Sequence, residues 1–390
     1  MSNLSAAVTR VKRSIAEACR GLVDRQSIVE LVVLCAVAKE HLLVVGPPGT
    51  AKSEAVRRIA RRLDGVYFEY LLGRFTEPSE LFGPVDLRKL KEGIVETSTA
   101  GMLPEAEVAF LDEVFLGSTA ILNTLLGILN ERMFRRGHTT LSCPMRVCVG
   151  AANRLPDDEQ LSAFADRFLA RVFVAPVEDA VLEDLLEAGW SGEAVAPRDD
   201  GETNVGGEPT SMADVDALSR AAFAMNLTNV RPALARAVRT LRAAGIEWSD
   251  RRVVRVQRLV AAAAVLAGRS EATDADLWPL VFALPTEEAQ RVGRDALRDL
   301  LVRSENVSLL AAAAEGSLSP PARSALLLKD AAATFAARPT ATEGEGAWRL
   351  QVEAIAREID ATFTTATMPE EISHLRSRVV AVLGERPLLG

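Results

Sequence analysis

One stretch constrains this chain more than any other: Leu42-Leu43-Val44-Val45, then Gly46-Pro47-Pro48-Gly49-Thr50-Ala51-Lys52-Ser53, then an amphipathic run from Glu54 to Leu63. The apolar residues read as a buried strand, the Gly/Pro loop interrupts it, and the run after it has helical spacing. Strand, loop and helix in that order form a cradle for phosphate. Backbone N–H groups of the loop and the helix start face the anion, Lys52 neutralises the β- and γ-oxygens, and Ser53 can ligate Mg²⁺. The candidate nucleotide-binding set is therefore Gly46, Pro47, Pro48, Gly49, Thr50, Ala51, Lys52, Ser53 and Glu54. Ala51 stands where such loops usually carry a second glycine, and its methyl group is tolerable if the position takes helical dihedrals.

Further along, Val108 to Leu111 reads as a strand that ends in Asp112 and Glu113. Adjacent carboxylates there fit a division of labour in phosphoryl transfer, with Asp112 on the hydrated metal ion and Glu113 on the attacking water. Asn153 ends the next expected strand, Val147 to Ala151, and can orient that water with Glu113. Arg167 and Arg171 follow at a distance suited to reaching a neighbouring subunit, Arg167 being the first candidate for the finger. Arg251, with Arg252 next, sits at a helix start in Ser249-Asp250-Arg251-Arg252, from which an arginine could reach back over the nucleotide.

Expected strands at 42–45, 66–70, 108–111, 147–151 and 171–174 alternate with helical patterns, which implies an α/β fold with a mostly parallel sheet between helices. This core spans 1–195. A Gly/Pro-rich, charged segment without periodicity, 196–211, reads as a linker. Helical patterns at 212–225, 231–244, 250–267 and 274–284 make an all-helical domain over 212–290, and a helical extension fills 291–390.

The 390 residues carry 45 Lys plus Arg against 53 Asp plus Glu, a net charge of −8, with 5% aromatics. Both argue against a surface built for nucleic acid. Four cysteines and three histidines form no metal-ligand spacing, so reduced thiols in a cytoplasmic protein are expected. No secretory signal or membrane span is expected either.

The ordered set GPPGTAKS, FLDEVF, LNTLLGILNERMF, GAANRLPDD, FADRFLARVFV and WSDRR resembles the MoxR family of AAA+ ATPases, nearest its RavA branch, over roughly residues 10–285. The resemblance implies an AAA+ core with a helical lid, a helix-two insert at 86–103 and a pre-sensor hairpin at 133–143. It further implies ATP and Mg²⁺ at subunit interfaces of a homo-oligomeric ring, usually hexameric. Such rings act as chaperone-like remodelers with partners carrying a von Willebrand factor A domain. Two other readings stay open at this point: an ATP-gated scaffold with little turnover, and a nucleic-acid motor.

Overall fold

Parallel strands covered on both faces show up as unbroken apolar runs. The computed structural model, which describes residues 2–177, 182–194, 210–339, 344–363 and 368–384, shows how those runs assemble. The chain opens with α1 (Ser2–Ala18) and α2 (Gln26–Ala38), then β1 (Leu42–Val45), α3 (Lys52–Arg62) and β2 (Tyr67–Leu71). Two short helices, α4 (Pro78–Phe82) and α5 (Leu87–Lys91), precede β3 (Val108–Asp112) and α6 (Thr119–Glu131). A hairpin of β4 (Met133–Arg136) and β5 (Thr139–Ser142) leads to β6 (Val147–Ala152), α7 (Glu159–Ala165) and β7 (Ala170–Phe173). The expected insert region thus holds α5, capped by the Asp86 side chain, and the expected hairpin is present, with Gly137 in left-handed geometry at its tip.

The sheet has five parallel strands in the order β2-β3-β6-β1-β7, with Leu42 opposite Val149 on one side and Ala170 on the other. Alternate residues of each strand feed opposite cores. Leu42, Val44, Phe110 and Val149 join one cluster with α1, α2 and α3, whereas Leu43, Val45, Leu111 and Cys148 join a second with α6 and the hairpin. Helix α2 is apolar nearly all round and buried from Ile28 to Ala38, as a helix at the centre of a layered domain must be.

After α8 (Leu182–Ala194) come α9 (Met212–Phe223), α10 (Arg231–Ala243) and α11 (Asp250–Leu266). The expected helix at 274–284 is broken: a 3-10 turn at Asp274–Asp276, closed by a capping box with Thr273, is followed by α12 (Pro279–Phe282). Pro279 has no N–H to continue a ladder and takes the first position of a new helix instead. Most of the expected linker, residues 196–209 of 196–211, lies outside the described residues. Its last two residues are anchored to the body: the Thr210 hydroxyl accepts a bond from Ser14 Oγ at 2.8 Å, and Ser211 forms a capping box with Asp214 at the start of α9. Helix α9 in turn packs on α1, α2 and α11, and Arg10 of α1 clasps Asp214.

The remaining helices are α13 (Glu287–Ala296), α14 (Arg298–Leu301), α15 (Leu310–Ser317), α16 (Pro320–Ala336), α17 (Glu345–Thr362) and α18 (Glu370–Gly384). They divide in two. Leu309, Ala312, Ala313 and Ala322 belong to the main core, while Leu327, Trp348, Val352, Ile359, Ile372 and Val379 form a separate cluster of their own.

Candidate nucleotide site

In a parallel sheet all strands end on one edge, and helices that follow them start there. The loop after β1, Asp112 and Glu113 after β3, and Asn153 after β6 therefore meet at one edge without any special contact bringing them together. Gly46 is required sterically, since a Cβ there would lie 2.3 Å from the Val174 carbonyl oxygen. Gly49 takes φ +77°, open to glycine at no cost. The first intrahelical bond of α3 runs from Ala55 N–H to the Ala51 carbonyl, at 3.1 Å. The amides of Lys52, Ser53 and Glu54 thus precede the ladder and remain for an anion. The Glu54 carboxylate is held away by Arg57 and Arg58, so its backbone and not its side chain suits phosphate.

Ala51 departs from expectation. It does not take right-handed helical dihedrals but the left-handed region, φ 56° and ψ 26°, as the residue before α3. The loop turns into its helix there with the geometry a glycine would supply, and the alanine accepts the strain.

Lys52 is 7% exposed, and its ammonium donates to the carbonyls of Gly46 and Pro47, each at 2.8 Å. Burial lowers its pKa, and the negative charges of Asp112 and Glu113 oppose that shift. Asp112 Oδ1 accepts the Glu113 N–H at 2.9 Å, which fixes the carboxylate at the strand end. Glu113 itself has φ 48°, again left-handed, and its Oε1 accepts from Asn153 Nδ2 at 2.5 Å. The amide holds one carboxylate oxygen and leaves the other for a water.

Sequence reasoning missed Arg25. This residue, 3% exposed, donates from Nε to the Thr50 carbonyl and from Nη2 to the Ala175 carbonyl, both at 2.8 Å. It ties the back of the loop to the chain leaving β7. The signal available was thin: a charged pair, Asp24-Arg25, directly before the most apolar helix of the chain.

The arginines sort differently from the expectation. Arg171 is not free to reach a neighbour: it is 4% exposed, bound to the Pro285 carbonyl and to Asp166. Arg252 is likewise spent, donating to the carbonyls of Ala283 and Leu169 at 2.8 and 2.7 Å and to Asp166 at 3.2 Å. Burial, then the charge of Arg171, lowers its pKa to about 10. Both clamp the helical domain to the starting edge of β7, where Ala170 pairs with Leu42. That edge is opposite the phosphate loop, about 13 Å away for a four-residue strand. Arg251 also lies on the far side, donating to Asn130 Oδ1 at the C-terminal end of α6. Neither Arg251 nor Arg252 reaches over the nucleotide site of its own chain, because α11 docks at the wrong edge. Arg167 stands between α7 and β7, partly exposed, with a buried Nε that has no hydrogen-bond partner among the described residues.

A five-stranded parallel sheet with a phosphate loop after β1, acidic residues after β3, a polar residue after β6 and a helical domain behind defines a P-loop protein of the AAA+ class. The sequence profile described as the MoxR domain in the MoxR-vWA-beta-propeller ternary systems matches residues 9–212, and an AAA lid domain profile matches 224–294. The chain belongs to the MoxR family of AAA+ ATPases. The match speaks for the family as a whole and not for the RavA branch within it. Two uncharacterized proteins of Methanocaldococcus jannaschii are 35% and 34% identical over 255 residues, which cover 65% of this chain and 65% and 64% of theirs. Chaperone MoxR1 of Mycobacterium tuberculosis is 27% identical over 175 residues, 44% of this chain and 46% of that protein. A crystal structure of a candidate ATPase from Cytophaga hutchinsonii shares the fold at TM-score 0.61 and 18% identity, covering 78% of this chain and 97% of that one.

Proposed function

We propose that this chain hydrolyses ATP in a homo-oligomeric, hexameric ring and uses the cycle to remodel or mature a partner protein, with a von Willebrand factor A domain protein as adaptor. The observation that carries the hydrolytic reading is the Asn153–Glu113 hydrogen bond at the edge where Lys52 also sits. A carboxylate held by an amide is oriented to accept a proton from water, and its position near the ammonium supports a role for it beside a γ-phosphate held by Lys52.

The residues present suit magnesium. Among the described residues no group of three or more His, Cys, Asp or Glu side chains could hold a metal unaided. Ser53 and Asp112 supply one hydroxyl and one carboxylate, the sparse set of an ion that keeps its waters and takes substrate phosphate as ligand. Bound there, magnesium would offset charge on the β- and γ-phosphates. The chain's own work is to seat the phosphates on the loop amides, to pair their charge with Lys52 and to aim water with Glu113. Arg167, supplied by the next subunit, would complete charge neutralisation. The adaptor follows from the family description, which names vWA proteins as companions.

Glu113→Gln tests the hydrolytic reading. The substitution keeps the hydrogen bond from Asn153 and removes the base, so ATP binding should persist while turnover falls by about a hundredfold or more. Turnover at the wild-type rate would end the assignment of Glu113.

A further inference from the structure

Helix α8 presents an apolar stripe that stays exposed among the described residues. Leu182, Leu185, Leu186 and Trp190 recur at helical spacing and are 44%, 38%, 66% and 79% exposed. Glu183 and Glu187 border the stripe on one side, and the helix carries four carboxylates with no base. Helix α10 has the opposite character: Arg231, Arg236, Arg239 and Arg242, and no acid. Between α10 and α11 runs a groove of about 410 Å³, floored by Leu234, Val238 and Val253 and rimmed by Arg231, Arg239 and Arg242. Arg242 is paired with Asp250, whereas Arg231 and Arg239 have no ion-pair partner among the described residues.

We infer that α8 of one copy docks into the α10–α11 groove of the next. An amphipathic helix laid in a groove is anchored by its i, i+4 and i+8 side chains, here Leu182, Leu186 and Trp190. The charges match in sign: the Glu183 and Glu187 carboxylates that border the stripe meet the guanidinium groups of Arg231 and Arg239 on the groove. Among the described residues the α8 stripe stays exposed and the groove stays open above its largely buried floor, and both occur on every copy, so the contact is head-to-tail and can repeat around a ring. The occupant is therefore a second copy of this chain, and the inference deepens the ring reading, on which it rests.

Crosslinking of two differently tagged preparations in a Cys19→Ser background, one with Leu186→Cys and the other with Ala235→Cys, tests it. A disulfide joining the two tags is expected, and its absence at concentrations where the chain self-associates overturns the inference. Arg239→Glu should raise the concentration midpoint of association about tenfold, with a copy bearing Glu183→Arg and Glu187→Arg restoring it. An unchanged midpoint overturns the docking of α8 alone. A wild-type chain that stays monomeric with nucleotide at every concentration overturns the ring reading together with it.

Discussion

Ala51 holds φ 56° at the junction of loop and helix, a conformation that costs an L-residue about 1–2 kcal/mol. Glycine avoids that cost but adds roughly 0.4–1 kcal/mol of unfolded-state entropy. Ala51→Gly should then stabilise the chain by a net ~0.5–1 kcal/mol, read as a higher urea midpoint at unchanged slope, and Ala51→Val should lower it. A lower midpoint for the glycine variant would show that the left-handed turn carries no strain. The sequence made this position legible as a departure from the usual glycine, but not its sign, because the dihedrals depend on how Arg25 grips the neighbouring Thr50 carbonyl. Arg25 itself was invisible for the same reason: the residues it joins, Thr50 and Ala175, are far from it along the chain. Asp112, Glu113 and Asn153 were legible because each directly ends a strand, and parallel strands deliver their ends to one edge.

At the level of elements, α2 shows how a polar residue inside an apolar run reports a distant partner. Glu30 is 1% exposed, and its Oε2 accepts the Ala312 N–H at 2.7 Å, capping α15. Burial raises its pKa to about 7 from 4.5, against the pull of the Ala312 amide and Lys329 and with a push from Glu315. Between those two values the folded chain keeps a proton that the unfolded chain has released. Stability from this group is therefore full below about pH 4.5, is lost as pH rises to about 7, and stays lost above, by on the order of 3 kcal/mol. Glu30→Gln keeps an acceptor for the amide and does not titrate. It should flatten the dependence of the urea midpoint between pH 5 and pH 8 and raise the midpoint at pH 8. A slope as steep as wild type would place the titration elsewhere. The strands were legible to within a residue or so, since their apolar runs are local. The seat of α11 was not. Its amphipathic pattern specifies that one face is buried, but not against which edge of the sheet, and the clasp of Arg252 and Arg171 on Asp166 only exists once that edge is chosen.

For the whole molecule, that docking decides how the site can be completed. Arg251, Arg252 and Arg171 are all at the starting edge of the sheet, so none of these three stands beside Lys52 in its own chain. Charge that develops in phosphoryl transfer needs further cations, and an arginine given by another subunit is worth about 10³–10⁵ in rate where it has been measured. Of the four candidate arginines, Arg171 and Arg252 are consumed by the clasp and Arg251 is held by Asn130, which leaves Arg167. ATP turnover per chain should accordingly rise with protein concentration as mass increases from monomer to ring, and Arg167→Ala should assemble with turnover reduced about a thousandfold. Mixing separates cis from trans. Arg167→Ala retains Glu113, Glu113→Gln retains Arg167, and a ring containing both has some interfaces with each group intact. Equal mixtures of the two inactive variants should recover a fraction of wild-type turnover. Turnover independent of concentration, or no recovery on mixing, would return Arg167 to a structural role and place the missing cation within the chain.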